Sequence, residues 1–235
     1  MPPCMKRCQR LPRAVYLQLC VLLTTKDFWS KVSSSELIVL QRLIRIGALD
    51  AGAHGVLIPL LYTAEDAKKL VLSAKFPPRG QRGFGSPFPM ATFSAELGAS
   101  DYLQQANDAL LTIVQIETKE AIENLDEIAA VDGIDCLFVG PFDLGNNIGH
   151  PIIDGVMHEN LHAAIAKVLK AAQVAKKRAG IFCTSGQQGK FYADQGFHMI
   201  SVATDMHALP AAIIDSLQKS KGLGDGPKFS GPYGK

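Results

Sequence analysis

The stretch Leu111–Glu120, "LTIVQIETKE", runs from a buried strand into a helix and places a carboxylate at the join. Five of its first six residues are apolar or β-branched, the composition of a strand buried on both faces. Glu117 ends that run, and "TKEAIENLDEIAAV" follows with helical spacing. A charge at the end of an apolar strand needs a reason, because an unpaired buried anion is strongly disfavoured.

Outward from this stretch the same strand-then-helix pattern repeats. "GVLIPLL" (Gly55–Leu61) reads as a strand and "TAEDAKKLVLSAK" as its helix, with Thr63 and Asp66 spaced as a capping box. "IDCLFVG" (Ile134–Gly140) is a strand, and a long helix is expected over residues 155–177. "GIFCT" precedes the helix "GQQGKFYADQ", and "HMISVAT" precedes "ALPAAIIDSLQKS", with Pro210 expected in that helix's first turn. A weaker strand is expected near "RGFGS". Apolar strands alternating with helices imply a parallel α/β sheet, either doubly wound or a barrel. Three parts follow: an atypical segment 1–46, a regular βα domain 47–220, and a Gly/Pro-rich tail 221–235, expected to be mobile.

Composition narrows the function classes. A net charge of +2 over 235 residues gives no basic cluster for nucleic acid, and no apolar run is long enough to span a bilayer. Five scattered cysteines, Cys4, Cys8, Cys20, Cys136 and Cys183, fit free thiols in a reducing, cytoplasmic setting better than a disulfide framework or a zinc site. The basic start (Lys6, Arg7, Arg10, Arg13, Lys26) is not read as a targeting segment, since no small-residue cleavage site follows its apolar run. "RGQRGFGSPF" does not lead from a strand into a helix, so it is no dinucleotide loop.

In parallel α/β folds, reactive side chains gather at the carboxyl ends of strands. Glu117 ends one strand, and Asp143 follows "LFVGP" in the next unit. The two carboxylates either cap the helices behind them or share a hard cation such as Mg²⁺ or Mn²⁺. Spacing alone does not choose between these. Gln115 and Glu117, two apart on a strand, share a face.

"LDAGAHGVLIPLLYTAEDAKKLVLSAKFPPRGQRGFGSPFP" and "VQIETKEAIENLDEIAAVDGIDCLFVGPFDL" resemble the HpcH/HpaI aldolase family of metal-dependent class II pyruvate aldolases, from about Ala48 to Leu209. The resemblance implies a (β/α)8 barrel of the phosphoenolpyruvate/pyruvate type, incomplete here at its N-terminal strands. It also implies cleavage of a 4-hydroxy-2-oxo acid to pyruvate and an aldehyde. It makes Glu117 and Asp143 the ligands of a divalent ion (Mg²⁺, Mn²⁺ or Co²⁺), with Gln115 and the main chain at Phe142 holding the substrate. Arg82 and Ser86 match a segment lining the substrate's far end, and Asp50 matches an acid that supports a histidine base. Homo-oligomers are expected on the same ground, through exchanged C-terminal helices.

The family's base histidine and enolate-stabilising arginine are not found. Residues 1–46 contain no histidine, and Arg42 and Arg45 lack matching neighbours. His150 is a candidate for the site's rim, while His158 and His162 read as a solvated helix face. Three functional readings therefore stand together: an active aldolase, a remnant or non-catalytic subunit with the metal pocket retained, and a citrate-lyase-like enzyme of acyl-CoA substrates. A spliced or misassigned start would produce the same pattern.

Overall fold

Apolar runs became strands where both of their faces found cover. The computed structural model describes residues 15–16 and 47–222. It contains six strands: β1 (Val15–Tyr16), β2 (Gly55–Ile58), β3 (Leu111–Ile116), β4 (Cys136–Val139), β5 (Arg178–Phe182) and β6 (Met199–Ser201). All pair in parallel, in the order β1-β6-β5-β4-β3-β2. This is a parallel half-barrel with helices on its outside. Among the described residues β1 and β2 do not pair, so the sheet is not closed. The two-residue β1 stands beside β6 and belongs to the segment read as atypical. The rest of residues 1–46, with Arg42, Arg45, Cys4, Cys8 and Cys20, and the tail from 223 lie outside the described residues.

Beyond the helical residues 47–50, the described helices are α1 (Ala64–Ala74), α2 (Phe88–Phe93), α3 (Ala99–Ala109), α4 (Lys119–Glu123), α5 (Leu125–Ala130), α6 (Pro141–Asn147), α7 (Glu159–Val174), α8 (Gly186–Gln195) and α9 (Asp205–Ser220). The expected capping box opens α1, with Thr63 and Asp66 bonded in both directions. Three expectations are corrected. "RGFGS" is a loop, since its glycines lack side chains to cover a strand face. The single helix expected after Glu117 is two short ones meeting at Asn124. Pro210 lies inside α9 rather than in its first turn, because the helix starts at Asp205. No helix was anticipated between Pro87 and Leu110, where α2 and α3 form.

Two apolar layers follow from strand alternation. Val114, Ile116, Leu137, Val139 and Ile181 face outward and pack with helical residues such as Leu70, Ile128 and Ile165. Ile113, Cys136, Phe138 and Met199 face inward, joined by Leu57, Leu111 and Phe182. A third cluster, around Phe76, Phe93 and Tyr102, lies with Val56 and Leu110 toward the amino ends of the strands. Buried Lys75 anchors that side, donating from Nζ to Leu110 O at 2.8 Å and pairing with Asp135 at 3.7 Å. No described helix is long and apolar enough to cross a membrane.

Candidate functional site

The inward parity of β3 runs from Leu111 through Ile113 to Gln115 and, one step past the strand, Glu117. Both polar side chains therefore enter the barrel lumen at its carboxyl mouth, while Ile116 packs among the helices. In the neighbouring ladder Gln115 pairs with Phe138 and Ile116 with Val139, so Gly140 stands next to Glu117. Gly140 shares the inward parity of Phe138 and has no side chain to fill it. A Cβ there would lie 2.6 Å from Glu117 Oε2 and 2.8 Å from Gln115 Nε2. The absent side chain is the space in which the two polar groups meet. Gly140→Ala is expected to lower stability by about 1–3 kcal/mol and displace the Glu117 carboxylate; urea unfolding together with Mn²⁺ titration checks this.

Glu117 is 1% exposed, a charge almost wholly out of water. Its Oε1 accepts the Leu60 N–H at 2.7 Å, and its Oε2 accepts a short hydrogen bond from Gln115 Nε2. Burial pushes its carboxyl above the ordinary glutamate range, against the lowering effect of these two bonds, and the negative charge of Asp143 adds to the rise. Asp143 lies exposed in the first turn of α6. The structure thus brings Glu117, Asp143 and Gln115 to one mouth, with Phe142 beside Asp143 and its ring 6.4 Å from that of Phe182. A buried carboxylate with a second carboxylate near it offers oxygen donors of the kind a hard divalent ion takes. No group of three or more His, Cys, Asp or Glu side chains placed to hold a metal ion occurs among the described residues.

Asp50, Arg82 and Ser86 form a separate group. Arg82 Nη2 donates to Asp50 Oδ1 at 2.8 Å, and Ser86 Oγ donates to the Asp50 carbonyl at 2.7 Å. The guanidinium lies over the Phe76 ring, 4.5 Å from its centroid. Arg82 N–H donates to Lys75 O, which ties this group to the amino ends of β3 and β4. Helix α1 carries the chain from the mouth back to that side, so the loop behind it starts far from Glu117. Among the described residues no hydrogen bond or ion pair joins Arg82 or Ser86 to Glu117 or Asp143, and Asp50 pairs with an arginine.

The histidines are engaged elsewhere. His158 is not on a helix face: it caps α7, its Nδ1 accepting the Asn160 N–H at 3.1 Å. Its ring stacks on His150, with centroids 4.2 Å apart, and His150 Nε2 lies 2.8 Å from Asn160 Nδ2. His162 is exposed, edge-on to Phe191. His54 stacks on Phe93. Two contributors escaped sequence reasoning, the Leu60 main chain and Gly140. The glycine was findable by carrying the strand register one step past Glu117; the left-handed Leu60 had no signal.

Comparison with known proteins agrees with this fold. The family model described as HpcH/HpaI aldolase/citrate lyase matches residues 31–212. A hydroxypyruvate/pyruvate aldolase of Rhizorhabdus wittichii is 39% identical over 176 residues, 74% of this chain and 68% of that protein. A 4-hydroxy-2-oxo-heptane-1,7-dioate aldolase of Klebsiella pneumoniae is 39% identical over 157 residues, 67% of this chain and 58% of that protein. The crystal structure of an HpcH/HpaI aldolase/citrate lyase family protein from Burkholderia cenocepacia superposes with a TM-score of 0.67 at 33% identity, covering 77% of this chain and 70% of that one. With the family model matched over residues 31–212 and a relative 39% identical over 176 residues, this chain belongs to the HpcH/HpaI aldolase/citrate lyase family.

Proposed function

We propose that the chain is a divalent-metal-dependent carbon–carbon lyase that cleaves a 4-hydroxy-2-oxo acid to pyruvate and an aldehyde. The observation that carries this is the buried Glu117 carboxylate at the mouth of the barrel, next to Asp143 from the following unit. Glu117 and Asp143 would hold the ion, Mg²⁺ or Mn²⁺ and on the same oxygen chemistry Co²⁺, which when bound supplies Lewis-acid stabilisation of the enolate. Gln115, oriented by its bond to Glu117, has a second amide hydrogen for the substrate, and the main chain at Phe142 is the further contact. Cleavage breaks the C3–C4 bond, removes the proton of the 4-hydroxyl and returns one at C3. Asp50 supports a base only if a histidine reaches it, and no hydrogen bond or ion pair joins a histidine to Asp50, Glu117, Gln115 or Asp143 among the described residues. The aldolase domain is taken as residues 47–220, in a cytoplasmic setting where buried Cys136 and Cys183 stay as thiols.

The test is pyruvate release, followed by coupled reduction to lactate, from 4-hydroxy-2-oxo acids with Mg²⁺ or Mn²⁺. Pyruvate formation that a chelator stops is the expected result. The missing base favours a second reading, a non-catalytic chain that retains the metal pocket: Mn²⁺ uptake without any pyruvate would establish it. Product only from CoA thioesters would point to the citrate-lyase-like branch instead.

A pH dependence follows from Glu117. Its carboxyl titrates above the ordinary value of 4.5 in the folded protein. The proton is therefore held more tightly in the fold, and the metal-free protein loses stability from this group as pH rises from 4.5 through the raised value. The ion needs the carboxylate, so Mn²⁺ affinity should decline on acidification before pH 4.5 is reached. Calorimetric titrations across pH measure it; an affinity flat down to 4.5 refutes the assignment.

We also read the protein as a homo-oligomer. Met206, Leu209, Ile213 and Leu217 of α9 are each at least half exposed and share one helical face, an apolar stripe that suits a second copy. Leu209→Glu with Ile213→Glu is expected to shift the protein to a smaller species in sedimentation analysis. An unchanged mass would exclude this face.

A further inference from the structure

The turn after β3 holds the turn after β2 through two adjacent residues. Glu117 Oε1 accepts the Leu60 N–H, and Thr118 Oγ1 donates to the Leu61 carbonyl at 3.1 Å. Thr118 is 0% exposed. Leu60 has φ of 53°, a left-handed conformation that a non-glycine residue keeps only where its surroundings enforce it. The Leu60 side chain is half exposed and adds little packing of its own, while the buried Leu61 beside it is held in the core. The polar contacts on either side of this residue pair act together with that anchor.

We propose that Thr118 is a positioning residue for the Glu117 carboxylate. By fixing Leu61 it keeps the left-handed Leu60 turn in place, and so holds the Leu60 N–H against Oε1 in the one arrangement that leaves Oε2 with Gln115. This deepens the reading of Glu117 as a metal ligand and rests on it. Thr118 also accepts the Ala121 N–H at 3.0 Å, as an N-cap of α4. Capping accounts for that bond alone. The bond to Leu61, across 57 residues of sequence, has no part in ending a helix.

The test uses the full chain with Thr118 replaced by Val, Cys and Ser, a series of falling loss in donor strength. Amide hydrogen exchange at Leu60 and Ala121 is measured on metal-free protein, and Mn²⁺ affinity by calorimetry. Leu60 exchange should accelerate at least about tenfold in Thr118→Val, less in Thr118→Cys, and stay near wild type in Thr118→Ser. The Mn²⁺ Kd should weaken in the same order, by roughly tenfold for Val, the scale of losing a group that orients a ligand. Should Thr118→Val not fold, the Cys and Ser variants still give the ordering. Faster exchange at Ala121 with Leu60 unchanged would reduce Thr118 to a cap and overturn the proposal. If the wild type takes up no Mn²⁺ while Leu60 exchange follows the series, Thr118 keeps its role and the metal reading falls instead.

Discussion

Glu117→Gln should lose Mn²⁺ uptake and pyruvate release by about 100-fold or more, while the metal-free protein stays as stable as wild type or becomes more so. Loss of a group that merely orients a metal ligand weakens binding by roughly 10–100-fold, and loss of an anionic ligand should exceed that. The stability expectation has the opposite sign. Glu117 is buried, and removing a charge from water disfavours the fold. Glutamine keeps the shape and an oxygen for the Leu60 N–H. Gln115 can turn its amide over, so that an oxygen faces the new amide hydrogens. Calorimetry with Mn²⁺ and thermal melting, run on the same preparations, separate the two effects. A variant that melts far below wild type would make Glu117 a structural group, and intact Mn²⁺ binding would remove it from the metal site.

Asp50→Ala should produce the largest loss of stability, about 3 kcal/mol. Arg82 is 2% exposed, and among the described residues its ion-pair partner is Asp50, at 2.8 Å, with no hydrogen bond at Nε or Nη1. Removing one member of a buried pair leaves a desolvated charge, an effect of roughly 3–5 kcal/mol; the partial exposure of Asp50 places this case at the lower end. Adding Arg82→Met should recover much of the loss, because a buried ion pair is often replaceable by apolar groups. Urea unfolding of the single and double variants measures it. Should Asp50 instead serve a histidine base, Asp50→Ala would lower kcat with the unfolding midpoint unchanged, and the double variant would restore nothing.

These two residues mark the boundary between what was legible and what was not. Glu117 was readable because strand alternation and burial are local: an acid ending an apolar run, two residues after a glutamine, already places both side chains in one lumen. The next unit, ending "LFVGPFD", placed Asp143 at the same mouth by the rule that strand ends converge. The strand positions, the capping box of α1 and the parallel order followed from the same local alternation. The pairing of Asp50 with Arg82 was not legible, because nothing in "RGQRGFGS" says where a glycine-rich loop goes after its helix. The short helices α2 and α3 escaped for a related reason, since they are held by the cluster around Phe76, Phe93 and Tyr102 rather than by a strong pattern of their own.

By itself, then, the order of apolar and polar residues determined the βα units, the parallel sheet and the acids that follow two of its strands, because these depend on periods of two and 3.6 residues and on which faces must leave water; the barrel class came from the resemblance to a known family. Tertiary structure decided the rest: that Gly140 vacates the space where Gln115 meets Glu117, that Leu60 takes a left-handed turn to donate to that carboxylate, and that Arg82 joins Asp50 beneath the sheet. Each is a contact between segments remote in sequence, fixed by register and by the direction in which a helix returns, and neither quantity is written in any short stretch of the chain.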